Sequence, residues 1–306
     1  MGFYEELAAA VGGDHIRRDE PMSSHTTFCI GGPADYFVTA VGENELREGI
    51  RLCLERGIPW FVSGRGSNLL VGDGGYRGVI FNICRTMDDI MLDEGSDALT
   101  VTAGAGTLFS AMARKVCSLG YSGCEYAVGI PGTLGGAVTM NAGAYGGEVA
   151  DAVIWADLMD REGNVSRLSR DDLNLSYRHS IIMDQGGIVL RCAFAFPRGD
   201  RDTISEKVTE FTRARREKQP LEYPSAGSTF KRPAGYFAGK LIQDCGLKGC
   251  SIGGAQVSMR HSGFIINTGN ATARDVRRLI EHVQEEVYKM FHVRLEPEVK
   301  FLGDFI

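Results

Sequence analysis

The sequence predicts a mixed α+β chain built from more than one folding unit. Three observations predict it. At 306 residues the chain exceeds the size at which a single hydrophobic core usually stops growing. Helical periods alternate with short apolar and β-branched runs. Forty glycines are more than packing requires, and glycine is used where a loop needs positive φ or close backbone approach.

The elements follow in order. Phe3, Leu7 and Val11 recur at i, i+4, i+8 and predict a short amphipathic helix ended by Gly12-Gly13. A second helix is predicted over 43–56, with Leu46, Ile50 and Cys53 on one face and Gly57 as its stop. A strand over 58–62, a glycine loop and a strand over 78–81 complete a small α/β unit. A second segment opens near Leu99 with a strand to Ala103, the turn Gly104-Ala105-Gly106, and a helix from Thr107 to Leu119. Strands are predicted over 153–159 and 188–196, with the turn Arg161-Glu162-Gly163-Asn164 between them. From about Thr203 the pattern turns helical. Thr203 and Glu206 read as a capping box, with Ile204, Val208 and Phe211 as its buried stripe. A last helix starts at Thr272, boxed by Asp275, and carries Val276, Leu279, Ile280, Val283, Val287 and Met290 at helical spacing. A short strand from Glu298 to Leu302 closes the chain.

Composition narrows the function. The net charge of −6 argues against nucleic acid, which calls for a basic face. Yet from Glu206 to Arg260 ten Lys and Arg stand against five Asp and Glu, a local +5. Such a stretch suits a small anionic ligand or a solvated face. Eight cysteines with no CxxC pair read as buried thiols of a reducing compartment, not a zinc site or disulfide frame. The first ten residues carry Glu5 and Glu6 and no basic segment, so no signal peptide is expected. No apolar run reaches the roughly 18 residues of a membrane span.

Gly104-Ala105-Gly106 sits where a dinucleotide fingerprint would, but Phe109 occupies the place of the third glycine. A ring there blocks close helix–strand packing, so a tight turn is expected. Two other loops carry more. In Ser63-Gly64-Arg65-Gly66-Ser67-Asn68-Leu69-Leu70, alternating glycines free successive amides to converge on an anion, with Ser67 and Asn68 adding donors. Gly129-Ile130-Pro131-Gly132-Thr133-Leu134-Gly135-Gly136, running on to Asn141-Ala142-Gly143, is apolar apart from its glycines. It suits a flat ring system and a diphosphate together. The two loops favour a large, phosphate-bearing cofactor.

At these residues the sequence resembles the UDP-N-acetylenolpyruvoylglucosamine reductase family. The resemblance runs over nearly the whole chain. It rests on Thr26-Thr27-Phe28-Cys29-Ile30-Gly31-Gly32-Pro33-Ala34-Asp35, the two glycine loops, the lead-in Glu125-Tyr126-Ala127-Val128 and Asn141-Ala142-Gly143-Ala144-Tyr145. It continues with Tyr177-Arg178-His179-Ser180, Gln219-Pro220, Pro224-Ser225-Ala226-Gly227-Ser228-Thr229-Phe230-Lys231-Arg232-Pro233, Ala238-Gly239-Lys240-Leu241-Ile242 and Leu295-Glu296-Pro297-Glu298-Val299. The resemblance implies an α+β fold: two α/β FAD-binding subdomains of the vanillyl-alcohol oxidase type plus a third α+β substrate domain. The expected boundaries are 1–88 joined by the C-terminal strand 296–306, then 89–202, then 203–295. It implies a cytoplasmic enzyme that binds FAD noncovalently and uses NADPH to reduce UDP-N-acetylglucosamine enolpyruvate to UDP-N-acetylmuramate for peptidoglycan. The length and the lack of a long insertion after Tyr177-Arg178 resemble the shorter of the family's two types.

The resemblance also implies roles. Gly64, Arg65, Gly66, Ser67, Asn68, Leu69, Gly129, Ile130, Pro131, Gly132, Gly135, Gly136, Asn141 and Gly143 are expected to hold FAD. Hydride arriving at the outer vinyl carbon leaves negative charge on the inner carbon and its carboxylate, which preorganised donors must meet. Arg178 and Glu298 are expected there: Arg178 offers a planar fork that never loses its proton, and Glu298 is either protonated or orders Arg178. Ser228 is the expected proton donor to the inner carbon, with Lys231 the nearest basic helper. Lys218, Lys231, Arg232 and Lys240 are expected at the diphosphate and Tyr145 at the nucleotide sugar. The family often has Asn where this chain has Arg232. His179 and His261 read as structural, and no metal spacing occurs among the six histidines. Two rival readings remain: another FAD oxidase of the same fold, although no His stands in the first glycine loop for covalent attachment, and a nucleotide-sugar binding module without catalysis.

Overall fold

The structure, a computed structural model, describes residues 2–39 and 42–306. The chain forms two compact units. One comprises the chain up to Arg17, Phe37–Arg65 and Val79–Arg215; the other comprises Arg18–Tyr36, Gly66–Gly78 and Arg216–Ile306.

The first unit holds an antiparallel five-stranded sheet in the order Val165–Ser169, Val153–Met159, Ile188–Pro197, Ala98–Gly104, Ile90–Glu94. Ile188–Pro197 runs down its centre and reads as a nearly continuous apolar run because it is covered along most of its length. Phe194, Phe196, Cys192, Val101, Ala103, Ala156 and Met159 are buried there. The edge Ile90–Glu94 is exposed throughout, and its apolar content did not mark it as a strand. The same unit carries the helices Phe3–Val11 and Glu43–Arg56 as the periodicity predicts, the first ended by Gly12 (φ 85°) and the second by Gly57 (φ 63°). Trp60–Ser63 pairs in parallel with Tyr76–Asn82, from Trp60↔Val79 to Ser63↔Asn82. Ala98–Gly104 feeds a turn and the helix Phe109–Ser118.

The turn is the tight backbone bend that Phe109 implies. A Cβ on Gly104 would meet the Met87 carbonyl at 2.1 Å, and one on Gly106 would meet the Ile83 carbonyl at 1.9 Å. These glycines serve backbone packing.

The second unit packs the helices Ala238–Asp244 and Ala273–Phe291 on a four-stranded antiparallel sheet ordered Ser225–Ser228, Phe264–Asn267, Ala255–Val257, Ser251–Ile252. The long helix supplies Val276, Leu279, Ile280, Val283 and Val287 to the core beside Phe28, Ile30, Leu70, Phe230 and Ile265. Its start is doubly capped. Thr272 and Asp275 form the predicted box, and Asp73 accepts from the amides of Ala273 (2.8 Å) and Arg274 (2.9 Å). The strand Lys300–Leu302 pairs in parallel with Leu69–Val71.

Three expectations are corrected. The helix expected at Thr203 begins earlier, at Arg201. Its start is capped by Asp200, whose carboxylate accepts from the Thr203 amide (2.9 Å) and hydroxyl (2.7 Å). A charged acceptor one residue ahead of the helix outcompetes the Thr203 hydroxyl. Met290 keeps the helical period but is 56% exposed, because the helix ends at Phe291 beyond the core. Cys29 is exposed, whereas Cys53, Cys124 and Cys192 are buried.

Leu279 is fully buried, whereas Met290 is not. Leu279→Ala should therefore lower unfolding free energy by roughly 2–5 kcal/mol, read as a shift of the urea midpoint at unchanged slope. Met290→Ala should stay within ~0.5 kcal/mol. Equal losses would show that the stripe does not end where the structure ends it.

Candidate active site

The first glycine loop leaves the strand Trp60–Ser63 under side-chain control. The amide of Asn82 donates to Ser63 Oγ (3.0 Å) and to the Gly64 carbonyl (2.7 Å). Gly64 lies against Thr133, where an added Cβ would sit 2.2 Å from Oγ1 and 3.1 Å from the threonine Cβ. The two glycine loops therefore meet at this point, and only glycine permits it. Gly66 takes φ 64°, with the His25 carbonyl 2.3 Å from where its Cβ would be. Among the described residues, the amides of Arg65, Gly66, Ser67 and Asn68 make no hydrogen bond. The Asn68 side chain, expected as a free donor, instead gives a hydrogen bond to the Glu298 carbonyl (3.1 Å), and its own carbonyl accepts from Lys300 (2.9 Å). Leu69 then opens the buried strand Leu69–Val71.

The second loop follows a single helical turn, Glu125–Gly129, and is fastened to the 104–107 turn by backbone bonds: Leu134 to Thr107 (2.8 Å), Gly135 to Ala105 (2.9 Å), and Phe109 to Gly132 (3.0 Å). Ile130 bonds back to Ala127 (3.0 Å), and Pro131 has no amide to place. The amides of Gly132 and Thr133 make no hydrogen bond among the described residues, and the buried Thr107 Oγ1 has no partner. Gly135 packs on Ala105, whereas Gly136 is open, its nearest neighbour being 3.7 Å from an added Cβ. Unbonded amides in side-chain-free loops form a cradle that fits a flat, phosphate-bearing group.

A third cluster gathers three non-glycine residues at positive φ: Asn141 (43°), Tyr145 (53°) and Arg178 (56°). Such conformations cost of order 1–3 kcal/mol each and collect at functional sites. The buried Asn141 side chain is a brace, donating to the Ser176 carbonyl (3.0 Å) and accepting from the Ala150 amide (2.9 Å). Gly143–Ala144 pairs with Gly147–Glu148, leaving Tyr145-Gly146 as a two-residue turn with both φ positive. The Tyr145 ring projects from that turn and stacks on Phe211 at 4.7 Å and 5°. Arg178 sits on a bend closed by reciprocal Ser176–His179 backbone bonds (3.1 Å each), and its fork donates to the carbonyls of Gly143 (2.9 Å) and Asn141 (3.4 Å). His179 meets Asp184 at 3.0 Å, in keeping with a structural role.

In the second unit, Ser228 ends the strand Ser225–Ser228, where Gly227 (φ 76°) breaks the register and leaves Ser228 exposed. The next residue, Thr229, accepts from the Glu298 amide (2.8 Å), and Lys231 donates to the Glu296 carbonyl (2.9 Å). Ser228 and Glu298, 70 residues apart in sequence, thus lie on adjoining segments. The expected basic set divides. Lys231 pairs with Glu296 (2.5 Å) and Lys240 with Asp244 (2.6 Å), while Arg232 lies over the Phe237 ring at 4.6 Å. Lys218 has no partner among the described residues. His261 accepts from the Gly263 amide, and burial pushes its pKa down.

Two residues outside the predicted set stand at these loops. Thr133 is hidden because its contact, Gly64, is distant in sequence. Arg215 lies on Gly129; its signal was the i,i+4 spacing from Phe211 along one helix.

Residues 219–302 match the family model described as UDP-N-acetylenolpyruvoylglucosamine reductase, C-terminal domain, and residues 34–169 match an FAD binding domain. The chain is 48% identical to a UDP-N-acetylenolpyruvoylglucosamine reductase from Lachnoclostridium phytofermentans over 98% of this chain and 97% of that protein. It is 49% identical to one from Agathobacter rectalis over 95% of each. The solved structure of UDP-N-acetylenolpyruvylglucosamine reductase from Thermus caldophilus is similar with a TM-score of 0.80 at 35% identity, covering 92% of this chain and 97% of that one. The expected α+β fold class with an FAD-binding part holds.

The Gly64–Thr133 approach is testable by stability alone. Gly64→Ala drives a Cβ into the root of a buried side chain and should cost roughly 1–3 kcal/mol. Gly136→Ala enters open space within a helix and should change stability by less than ~1 kcal/mol, in the favourable direction. Equal melting temperatures for the two variants would remove the contact between the loops.

Proposed function

Because the chain belongs to the UDP-N-acetylenolpyruvoylglucosamine reductase family, we propose that its glycine loops hold FAD and that Arg178, Ser228 and Glu298 act on the substrate. The protein is an FAD-dependent oxidoreductase that uses NADPH to reduce UDP-N-acetylglucosamine enolpyruvate to UDP-N-acetylmuramate in peptidoglycan precursor synthesis. No helix among the described residues is long and apolar enough to cross a membrane, and a cytoplasmic site of action is part of the proposal. So is the division into FAD-binding parts, 1–88 with 296–306 and 89–202, and a substrate part, 203–295. The parallel pairing of Lys300–Leu302 with Leu69–Val71 supports the return of the C-terminal strand to the first part.

The residues fit FAD on three counts: unbonded amides in both loops, glycines at which a Cβ would clash, and the unpartnered Thr107 hydroxyl. Gly64 to Leu69 and Gly129 to Gly136 would hold it, with Asn141 and Gly143 shaping the adjoining turn. When bound, FAD accepts hydride from NADPH and supplies it to the outer vinyl carbon of the enolpyruvyl ether.

The chain's own groups handle the charge and the proton. Arg178 is held in place by the Asn141 and Gly143 carbonyls, so its guanidinium is positioned for the substrate carboxylate before the substrate arrives. Ser228 gives its hydroxyl proton to the inner carbon: its O–H bond breaks as the C–H bond forms. A hydroxyl is a weak acid and works only when held close with its alkoxide stabilised. Lys231 is the nearest cation in sequence, though its charge is shared with Glu296. Glu298 is fixed through its backbone by Thr229 and Asn68. Lys218 and Arg232 are the remaining candidates for the diphosphate, since Lys240 is engaged by Asp244. Tyr145, exposed at its turn, is proposed at the nucleotide sugar.

The observation that carries these roles is the adjacency of Ser228 and Glu298. A binding module would need neither, and an oxidase would need no proton donor to carbon. Purified protein should release FAD, not FMN, on denaturation, and with NADPH should yield a product heavier than the enolpyruvyl substrate by two hydrogens in mass spectrometry. A colourless protein would reject the proposal.

Ser228→Ala separates the proton step from the rest. The variant should still bleach its bound flavin with NADPH at about the parental rate, because that process needs no proton on the enolpyruvyl carbon. Formation of UDP-N-acetylmuramate should slow by ~10² to 10⁴-fold or more. Stopped-flow absorbance on each half-reaction reads both. Loss of flavin bleaching with product formation intact would take Ser228 out of the proton-donor role.

A further inference from the structure

We propose that Arg215 is an FAD-binding residue, its guanidinium lying over Gly129 to hold a negatively polarised oxygen of the cofactor. This rests on the reading that the Gly129–Gly136 loop holds FAD. Arg215 falls between the two segments that match family models, 34–169 and 219–302, so neither match covers it. It sits near the end of the helix Arg201–Lys218, four residues after Phe211 and on the same face. That face meets the site: Tyr145 stacks on Phe211, and a Cβ on Gly129 would lie 2.8 Å from Arg215 Cδ and 3.2 Å from Nη1. The absence of a side chain at Gly129 is what lets the guanidinium reach the loop.

Among the described residues no carboxylate pairs with Arg215 and no hydrogen bond is made by its fork. Burial pushes its pKa below the ordinary arginine value, offset in part by the nearby Tyr145 phenol. Most other cations of the same basic stretch sit exposed or in ion pairs, as Lys231 and Lys240 do. A guanidinium partly desolvated with nothing to neutralise it is costly unless a ligand supplies the anion. FAD offers two such groups, the diphosphate oxygens and the pyrimidine carbonyls of its ring, and the planar fork suits either. The Tyr145–Phe211 stack and the Gly129 backbone set the guanidinium's position before a ligand arrives.

The test measures FAD dissociation from the full-length protein by flavin fluorescence, with wild type, Arg215→Gln, Arg215→Lys and Gly129→Ala. Arg215→Gln should raise the FAD dissociation constant ~10- to 100-fold, the span of one charge-assisted contact. Arg215→Lys, which keeps charge but loses the fork, should fall between it and wild type, and it carries the test if the glutamine variant fails to fold. Gly129→Ala should displace the guanidinium and weaken FAD as well, with little further loss when combined with Arg215→Gln. Riboflavin identifies the acceptor: equal weakening points to the ring carbonyls, and weakening of FAD alone points to the diphosphate. An FAD affinity within twofold of wild type in a folded Arg215→Gln protein overturns the proposal. So does a loss confined to the affinity for the UDP-sugar, or full additivity of the two substitutions. Wild-type protein that binds no FAD would instead bring down the function on which the proposal stands.

Discussion

Close approach at glycines, where an added Cβ has little or no room, is the constraint on which the first unit depends. Gly104 against the Met87 carbonyl, Gly106 against the Ile83 carbonyl and Gly64 against the Thr133 side chain sit closer than a Cβ tolerates, and Gly135 packs tightly on Ala105. Each contact joins a loop to a strand end or to another loop. The result is a surface lined by amides, and amides without partners are stable only beside water or a ligand that accepts from them. The second loop is fastened to the 104–107 turn by the amides of Leu134 and Gly135, while the amides of Gly132 and Thr133 make no hydrogen bond among the described residues. A substitution at any of these glycines acts first on packing and only through packing on the cofactor.

In the second unit the side chains proposed to act on the substrate sit on segments pinned through their main chains. Glu298 is fixed by Thr229 and Asn68, Lys231 by Glu296, and the whole strand by its pairing with Leu69–Val71. A buried side-chain amide and a half-buried carboxylate complete the frame. Asn267 donates to the Phe28 carbonyl and accepts from Gly269 and Ala271, and Asp73 caps the long helix. The serine acid proposed above would require this: its weak acidity makes distance the controlling variable, and distance is set by the backbone that carries it.

Much of this was legible in the sequence where the signal is local. The helices Phe3–Val11, Glu43–Arg56 and Ala273–Phe291 show their period and their stops within their own residues. The strands Val153–Met159 and Ile188–Pro197 are long and apolar enough to stand out. Short strands such as Ser251–Ile252 and the exposed Ile90–Glu94 are strands only because a neighbour pairs with them, and no local pattern encodes the neighbour. The same limit applied at the site. Glycine loops and the Gly227-Ser228 bend could be read as residue types. That Asn141 is a brace, that Asn68 spends a donor on Glu298, and that Thr133 closes on Gly64 are facts of tertiary approach. Asp200 overrode the Thr203 box for a simpler reason: an acceptor one residue ahead of the helix was available and charged.

The basic stretch between Glu206 and Arg260 shows how the structure converts a charge excess into chemistry. Of its ten cations, Lys207, Lys231, Lys240 and Arg260 face carboxylates at 4 Å or less, on Glu125, Glu296, Asp244 and Glu222. Arg232 lies over an aromatic ring. Of the cations left, Arg213, Arg215, Arg216 and Lys218 fall in the last two turns of one helix, where the helix's own carbonyl end favours positive charge. Three of these four are exposed, so water solvates them and their charge needs no other explanation. Arg215 is the half-buried member, and water cannot do the same for it. Lys248, the tenth cation, is half-buried too, so Arg215 and Lys248 are the two members of the stretch that are neither exposed nor ion-paired among the described residues, and of these Arg215 is the one that lies on a glycine loop.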